Sequence, residues 1–189
     1  MIRIGIIGEI GSGKSYVAKN FGYPVFNADY EVSQLYIKNK KIFYKLNKKI
    51  PKFINSFPID KKQIVAAILS NNSNLKKIIR VIHLEIRKKM NFFLKKNKNK
   101  KIVILDIPLL LENKIYNKKD VLVFVDSSKK DIIKRLKKRR NFNNKLFDKF
   151  KKIQFSSNYK KKKAKFIIKN NFTKKSVNIG IKRILDKII

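Results

Sequence analysis

Residues 8–15 read Gly-Glu-Ile-Gly-Ser-Gly-Lys-Ser, a complete G-x-x-x-x-G-K-S spacing. Glycines at Gly8, Gly11 and Gly13 let successive backbone N–H groups around Ser12 curl about phosphate oxygens with no side chain in the way. Lys14 is placed to reach the β- and γ-phosphates of ATP, and Ser15 to ligate the Mg²⁺ that accompanies them. Tyr16 follows directly and belongs to the same nucleotide-binding stretch. A helix opening at Lys14 would aim its positive end at the anion. The bland alternative is a glycine-rich turn with no ligand. The motif requires a strand before it and a helix after it, and both are expected here.

These groups act only where folded elements hold them. Ile2 to Ile7 is an almost continuous apolar run ending in glycine, the pattern of a strand buried on both faces. Lys14 to Phe21 reads as a helix stopped by Gly22, and Tyr23 to Phe26 as a second strand, which completes a βαβ unit. From Asp29 to about Asn97 the pattern is helical. Asp60 and Gln63 have capping-box spacing, Ile64, Ala67 and Ile68 form one apolar face, and Leu75, Ile78, Ile79, Ile82, Ile86, Met90 and Phe93 form a longer one. Ile102 to Leu105, Val121 to Val125 and Phe166 to Ile168 supply three more strands, and Ser176 to Ile188 a closing helix. Five short strands alternating with helices predict an α/β fold with a doubly wound parallel sheet. Ligands of such sheets bind beyond the carboxyl ends of the strands, where Gly8, Asp29 and Asp106 all fall. Asp106 ends a hydrophobic strand and is placed to approach the metal, although strand-end Asp is also a common loop cap. Asp29 can take a proton from an attacking hydroxyl or orient it. On residue physics alone, a helix N-cap is the better reading for Asp29.

The 189 residues carry 49 Lys and Arg against 12 Asp and Glu, a net charge of +37. Such a field attracts nucleic acid. The lysines, however, are spread over nearly every segment, Arg is scarce, and Lys, Asn, Ile and Phe all have AT-rich codons. Compositional bias is therefore the preferred reading, with no specific nucleic-acid partner. With no cysteine, disulfides and thiolate metal sites are excluded. No export leader is read at the start and no apolar run has bilayer length, so a cytoplasmic, membrane-free, monomeric protein is expected.

The motifs together resemble dephospho-CoA kinase. "GEIGSGKS" at 8–15, "NAD" at 27–29, "ID" at 59–60, "HLEIR" at 83–87, "DIPLLLE" at 106–112, "RLKKR" at 135–139, Gln154 and "AKFIIKNN" at 164–171 occur in that family's order and spacing. The loop alone is shared by many kinases, whereas "DIPLLLE" with "NAD" and "HLEIR" is far more discriminating. The resemblance implies transfer of the γ-phosphate of ATP to the ribose 3′-hydroxyl of dephospho-CoA. It implies a P-loop core (1–29, 100–139 and 164–189), a helical acceptor region (30–99) and a lid (140–163). By the same resemblance Asp29 is the general base and Asn170 lies near the adenine. His83, Arg87 and Lys61 serve the acceptor, Pro108, Leu109 and Glu112 form a wall beside it, and Arg139 or Arg140 comes from the lid region to the phosphoryl group. Residue physics alone favours a packed helix residue for His83, and leaves open a phosphate contact or a solvent face for Arg87, a surface place for the lid arginines, and for Glu112 either a place near the acceptor or a cap for the turn at Asn113.

Four positions depart from the family pattern. Asn27 replaces an acid, Tyr16 a threonine, Leu84 a proline and Lys61 an arginine. Two rivals are another small-metabolite or nucleotide kinase of the same fold and, from a different class, a nucleic-acid-binding ATPase.

Overall fold

The protein is described by a computed structural model over residues 1–139 and 142–189, so Arg140 lies outside the described residues. Five parallel strands form one sheet in the order β2-β3-β1-β4-β5. They are β1 (Ile2–Gly8), β2 (Val25–Asn27), β3 (Ile102–Asp106), β4 (Val121–Asp126) and β5 (Phe166–Lys169). The apolar runs become strands because helices cover both faces, so both sets of alternating side chains are buried. All five residues of β3 are buried.

The alternation along β1 divides the interior in two. Ile4 and Ile6 join Ile102, Ile104, Val123, Val125 and Ile168 against α1 (Lys14–Asn20) and α9 (Lys174–Ile188). Ile7, Phe26, Leu105 and Phe124 face the other way. On that face lie α2 (Ala28–Lys38), α3 (Lys40–Lys49), α4 (Lys61–Ser70) and the long α5 (Asn72–Lys96). Leu75, Ile78, Ile82, Ile86 and Met90 are buried on α5, as their spacing predicts. Gly5, on the same strand, has no side chain for a packing reason. A methyl group there would stand 2.6 Å from Leu110 Cδ2 and 3.0 Å from Leu122 Cδ2. Its absence lets the segment after β3 lie directly over the central strand.

Two local expectations are corrected. Asp60 does cap α4, accepting from Lys62 N at 2.8 Å, but Gln63 does not close a reciprocal box. Its amide donates instead to Asn55 Oδ1 and Ser56 Oγ, at 2.8 and 2.9 Å. The N-cap of α2 is Asn27, whose Oδ1 accepts from Tyr30 N at 2.8 Å, so Asp29 is not the cap. Asn27 comes first because β2 runs on to that residue, which puts Asp29 inside the first turn of the helix.

The stretch after α6 (Lys129–Lys137) reads as polar and basic, yet it contains α7 (Asn144–Ile153) and α8 (Ser157–Lys163). Leu146, Phe150 and Ile153 of α7 pack on the core at helical spacing, a stripe hidden among lysines.

Candidate active site

The loop between β1 and α1 turns on Gly13, whose φ of 90° lies in the left-handed region that favours glycine. A methyl group there would meet Asn170 Nδ2 at 2.5 Å. That contact marks how closely the loop is backed. Asn170, 2% exposed, donates from Nδ2 to Ser12 O at 2.9 Å and accepts from Phe172 N at 2.9 Å. Ser127 Oγ donates to the same Ser12 oxygen at 2.9 Å. Asn170 thus braces the loop from behind with both ends of its amide engaged. Beside it the Arg135 guanidinium lies 4.2 Å from the centre of the Phe172 ring. Ser12 is fully buried, and its hydroxyl has no hydrogen-bond partner among the described residues. Tyr16 is 43% exposed, so its ring points outward from α1.

Lys14 is folded into this loop. Its Nζ donates to Glu9 O at 2.7 Å and to Gly8 O at 3.3 Å. Burial, followed by the nearby charge of Lys160, lowers its pKa to about 8, against the pull of Asp106, Asp29 and Glu112. An anion in the loop would reverse that balance.

Asp106, 3% exposed, stands at the end of β3. Burial raises its pKa, while hydrogen bonding from Ser15, the charge of Lys14 and a hydrogen bond from Asn27 hold it down. Asn27 Nδ2 donates to Asp106 Oδ2 at 2.8 Å. One amide therefore caps α2 and steadies Asp106. An aspartate in its place would set a second negative charge against the first. Ser15 and Asp106 together offer hard oxygen donors beside the loop, which suits Mg²⁺ completed by phosphate and water ligands rather than an all-protein cage.

Asp29 is exposed and lines a cleft of about 430 Å³. Burial and then Asp106 raise its pKa, opposed by Lys14, Lys61 and Arg139. Asp29 therefore lies within electrostatic reach of Asp106 and the loop lysine.

The cleft is lined largely by apolar residues of α2, α4, α5 and α7, with Pro108 and Leu109 on one wall and His83 and Arg139 among the polar groups. His83 is half-buried, its Nε2 has no hydrogen-bond partner among the described residues, and burial followed by the charge of Arg87 lowers its pKa. Arg87 is not among the lining residues. Its guanidinium donates to Lys114 O at 3.1 Å, bracing the turn where Lys114 takes a left-handed φ of 51°. Lys61 is exposed at the start of α4. Glu112 does not cap the turn at Asn113. Its carboxylate accepts from Phe155 N at 2.9 Å and pairs with Lys160 Nζ at 2.9 Å.

A dephospho-CoA kinase family profile matches residues 2–176. The chain belongs to the dephospho-CoA kinase family. The dephospho-CoA kinase of Wolbachia pipientis wMel is 33% identical over 98% of this chain and 97% of that protein. Among solved structures, a Thermus thermophilus protein superposes with a TM-score of 0.77 at 23% identity, covering 100% of this chain and 98% of that one. The dephospho-CoA kinase from Campylobacter jejuni superposes with a TM-score of 0.68 at 22% identity, over 98% and 96%. The sheet order is thus that of a P-loop kinase fold, and the chain is an enzyme with dephospho-CoA kinase activity.

The sequence left two contributors unrecognised. Lys160 sits in a run of four lysines, Lys160 to Lys163, and only its helical position turns it inward. Asn27 read as a weakened motif position, although an amide can cap a helix and donate to a carboxylate at once.

Proposed function

We propose that ATP bound in the 8–15 loop gives its γ-phosphoryl group to the 3′-hydroxyl of dephospho-CoA lying in the 430 Å³ cleft, with Asp29 between them. Asp29 accepts the hydroxyl proton as the oxygen attacks phosphorus. Its raised pKa makes it a stronger proton acceptor than an ordinary aspartate. Lys14 carries charge at the phosphates, and Arg139 approaches from the cleft side. Arg140 is assigned the same task from its sequence position. Ser15 and Asp106 are the residues that would hold Mg²⁺, which when bound would supply charge neutralisation at the phosphate oxygens. The catalytic gain comes from positioning, because phosphoryl transfer asks little covalent chemistry of the protein.

Asn170 serves the nucleotide by bracing its loop from behind, and Tyr16 flanks the loop in the first turn of α1. Pro108, Leu109, His83 and Lys61 border the acceptor, while Arg87 and Glu112 support its wall from outside the cleft. The apolar lining suits an acceptor with a long, weakly polar arm better than a bare nucleotide. No helix of the described residues is long and apolar enough to cross a membrane, and the reading assigns the enzyme to the cytoplasm as a monomer.

The observation that carries this reading is that Asp29, in the cleft lining, follows Asn27 by two residues, and the Asn27 amide holds Asp106 at the end of β3 beside the phosphate loop. Incubation with ATP, Mg²⁺ and dephospho-CoA should yield coenzyme A by mass. Absence of product from folded protein, or preference for a nucleoside monophosphate, would refute it.

A further inference from the structure

One buried charge has no role in that scheme. Lys160 is 2% exposed, whereas its neighbours Lys162 and Lys163 on α8 lie in solvent. Its Nζ pairs with Glu112 Oε1 at 2.9 Å and donates to Gly8 O at 3.4 Å. Lys14 Nζ donates to the same Gly8 oxygen at 3.3 Å. Two ammonium groups therefore converge on one carbonyl at the first residue of the phosphate loop. A second cation buried beside the first is costly, and for stability alone an apolar residue serves as well or better. Glu112 compensates one of the two charges. The convergence matches what a multiply charged anion requires.

We propose that Lys160 is a second phosphate-binding lysine, contacting the terminal phosphoryl group of ATP together with Lys14. Glu112 decides which phosphate. It belongs to the segment after β3 that forms the acceptor wall, so it holds the ammonium on the acceptor side of the loop, where the transferred group lies. The helix carrying Lys160 and the link that leads into it are fastened at several points. Ser157 hydrogen-bonds the Glu9 carboxylate, Phe155 N donates to Glu112, and Gln154 Nε2 donates to Pro108 O at 3.2 Å. Lys160 thus arrives on a braced element rather than a free arm. No bond to it forms or breaks. It offsets charge on the phosphoryl oxygens during transfer. The inference rests on the phosphoryl-transfer reading of the loop.

The test compares Lys160→Met and Lys160→Arg with the parent and with Lys162→Met, which removes an exposed charge from the same helix. Calorimetric titration with Mg-ATP and Mg-ADP reads the ratio of the two affinities. A charge-assisted contact to the terminal phosphate predicts that Lys160→Met weakens ATP about tenfold and ADP less than about twofold. It also predicts that kcat falls about tenfold or more while KM for dephospho-CoA holds, with partial recovery in Lys160→Arg. Lys162→Met should match the parent. Melting curves identify the temperature range in which each variant is folded, and affinities are measured there. An unchanged ATP-to-ADP ratio with unchanged kcat in folded Lys160→Met would reduce Lys160 to a structural latch and overturn the proposal. A parent that makes no coenzyme A, combined with a Lys160→Met variant that loses its preference for ATP, would overturn the activity and leave the phosphate role standing.

Discussion

The lowered pKa of Lys14 gives nucleotide binding a proton signature. At pH 8 a lysine with a pKa of about 8 is half neutral in the free protein. Phosphate oxygens brought against it favour the charged form and restore a high pKa. Binding of ATP should therefore draw about half a proton from solution at pH 8, approaching one at pH 9 and almost none at pH 6.5. The sign is uptake, because the bound state holds more protons than the free one. By the same linkage ATP should bind about tenfold more weakly at pH 9 than at pH 7, since only about a tenth of the free enzyme then carries the charge. Calorimetric titration in buffers of different ionisation heat measures the uptake as the slope of apparent enthalpy against that heat. Lys14→Arg keeps a cation that does not titrate, so its slope should vanish. A zero slope for the parent across pH 8 to 9, or an equal slope in Lys14→Arg, would refute the reasoning.

Asp29→Asn should cut kcat about 10²- to 10⁴-fold with the KM for ATP near normal, and parental turnover would leave the residue without a role in proton transfer. Because the pKa of Asp29 is raised, the acid limb of the kcat/KM profile should fall above the ordinary aspartate range, with activity lost as pH drops through it. Asn27→Asp should raise the pKa of Asp106 further, so that activity is lost at a higher pH than in the parent as pH falls, read from the kcat/KM profile at saturating Mg²⁺. Gly13→Ala, with its methyl group 2.5 Å from Asn170 Nδ2 and a backbone φ of 90°, should lower the melting temperature and abolish detectable ATP binding.

The sheet was largely legible because its strands are buried on both faces and so appear as uninterrupted apolar runs. The phosphate loop was legible because its work falls to the backbone, and glycine spacing records backbone geometry directly. Asp29 and Asp106 could be placed on the rim, since both end a strand or follow one. What failed to show were interactions between distant segments. Nothing in the run Lys160 to Lys163 distinguishes the residue that turns inward, because that depends on where α8 lands against Gly8 and Glu112. The apolar stripe Leu146, Phe150, Ile153 was masked by the lysines between its members. The capping misassignment of Asp29 has a similar origin. One residue of strand length, at Asn27, decides which polar side chain reaches the free N–H groups of α2.

Gly5 would make interior volume a determinant of acceptor choice. It lies in the central strand, touches neither substrate, and is covered by Leu110. Leu110 belongs to the same short segment as Pro108 and Leu109, which face the cleft. Any side chain at position 5 would have to lift that segment, because close-packed interiors pass displacement on rather than absorb it. If the acceptor occupies the cleft as proposed, discrimination among acceptors would be set partly from beneath it. A relative that accepts a bulkier or slimmer molecule can differ from this chain at a residue the ligand never meets.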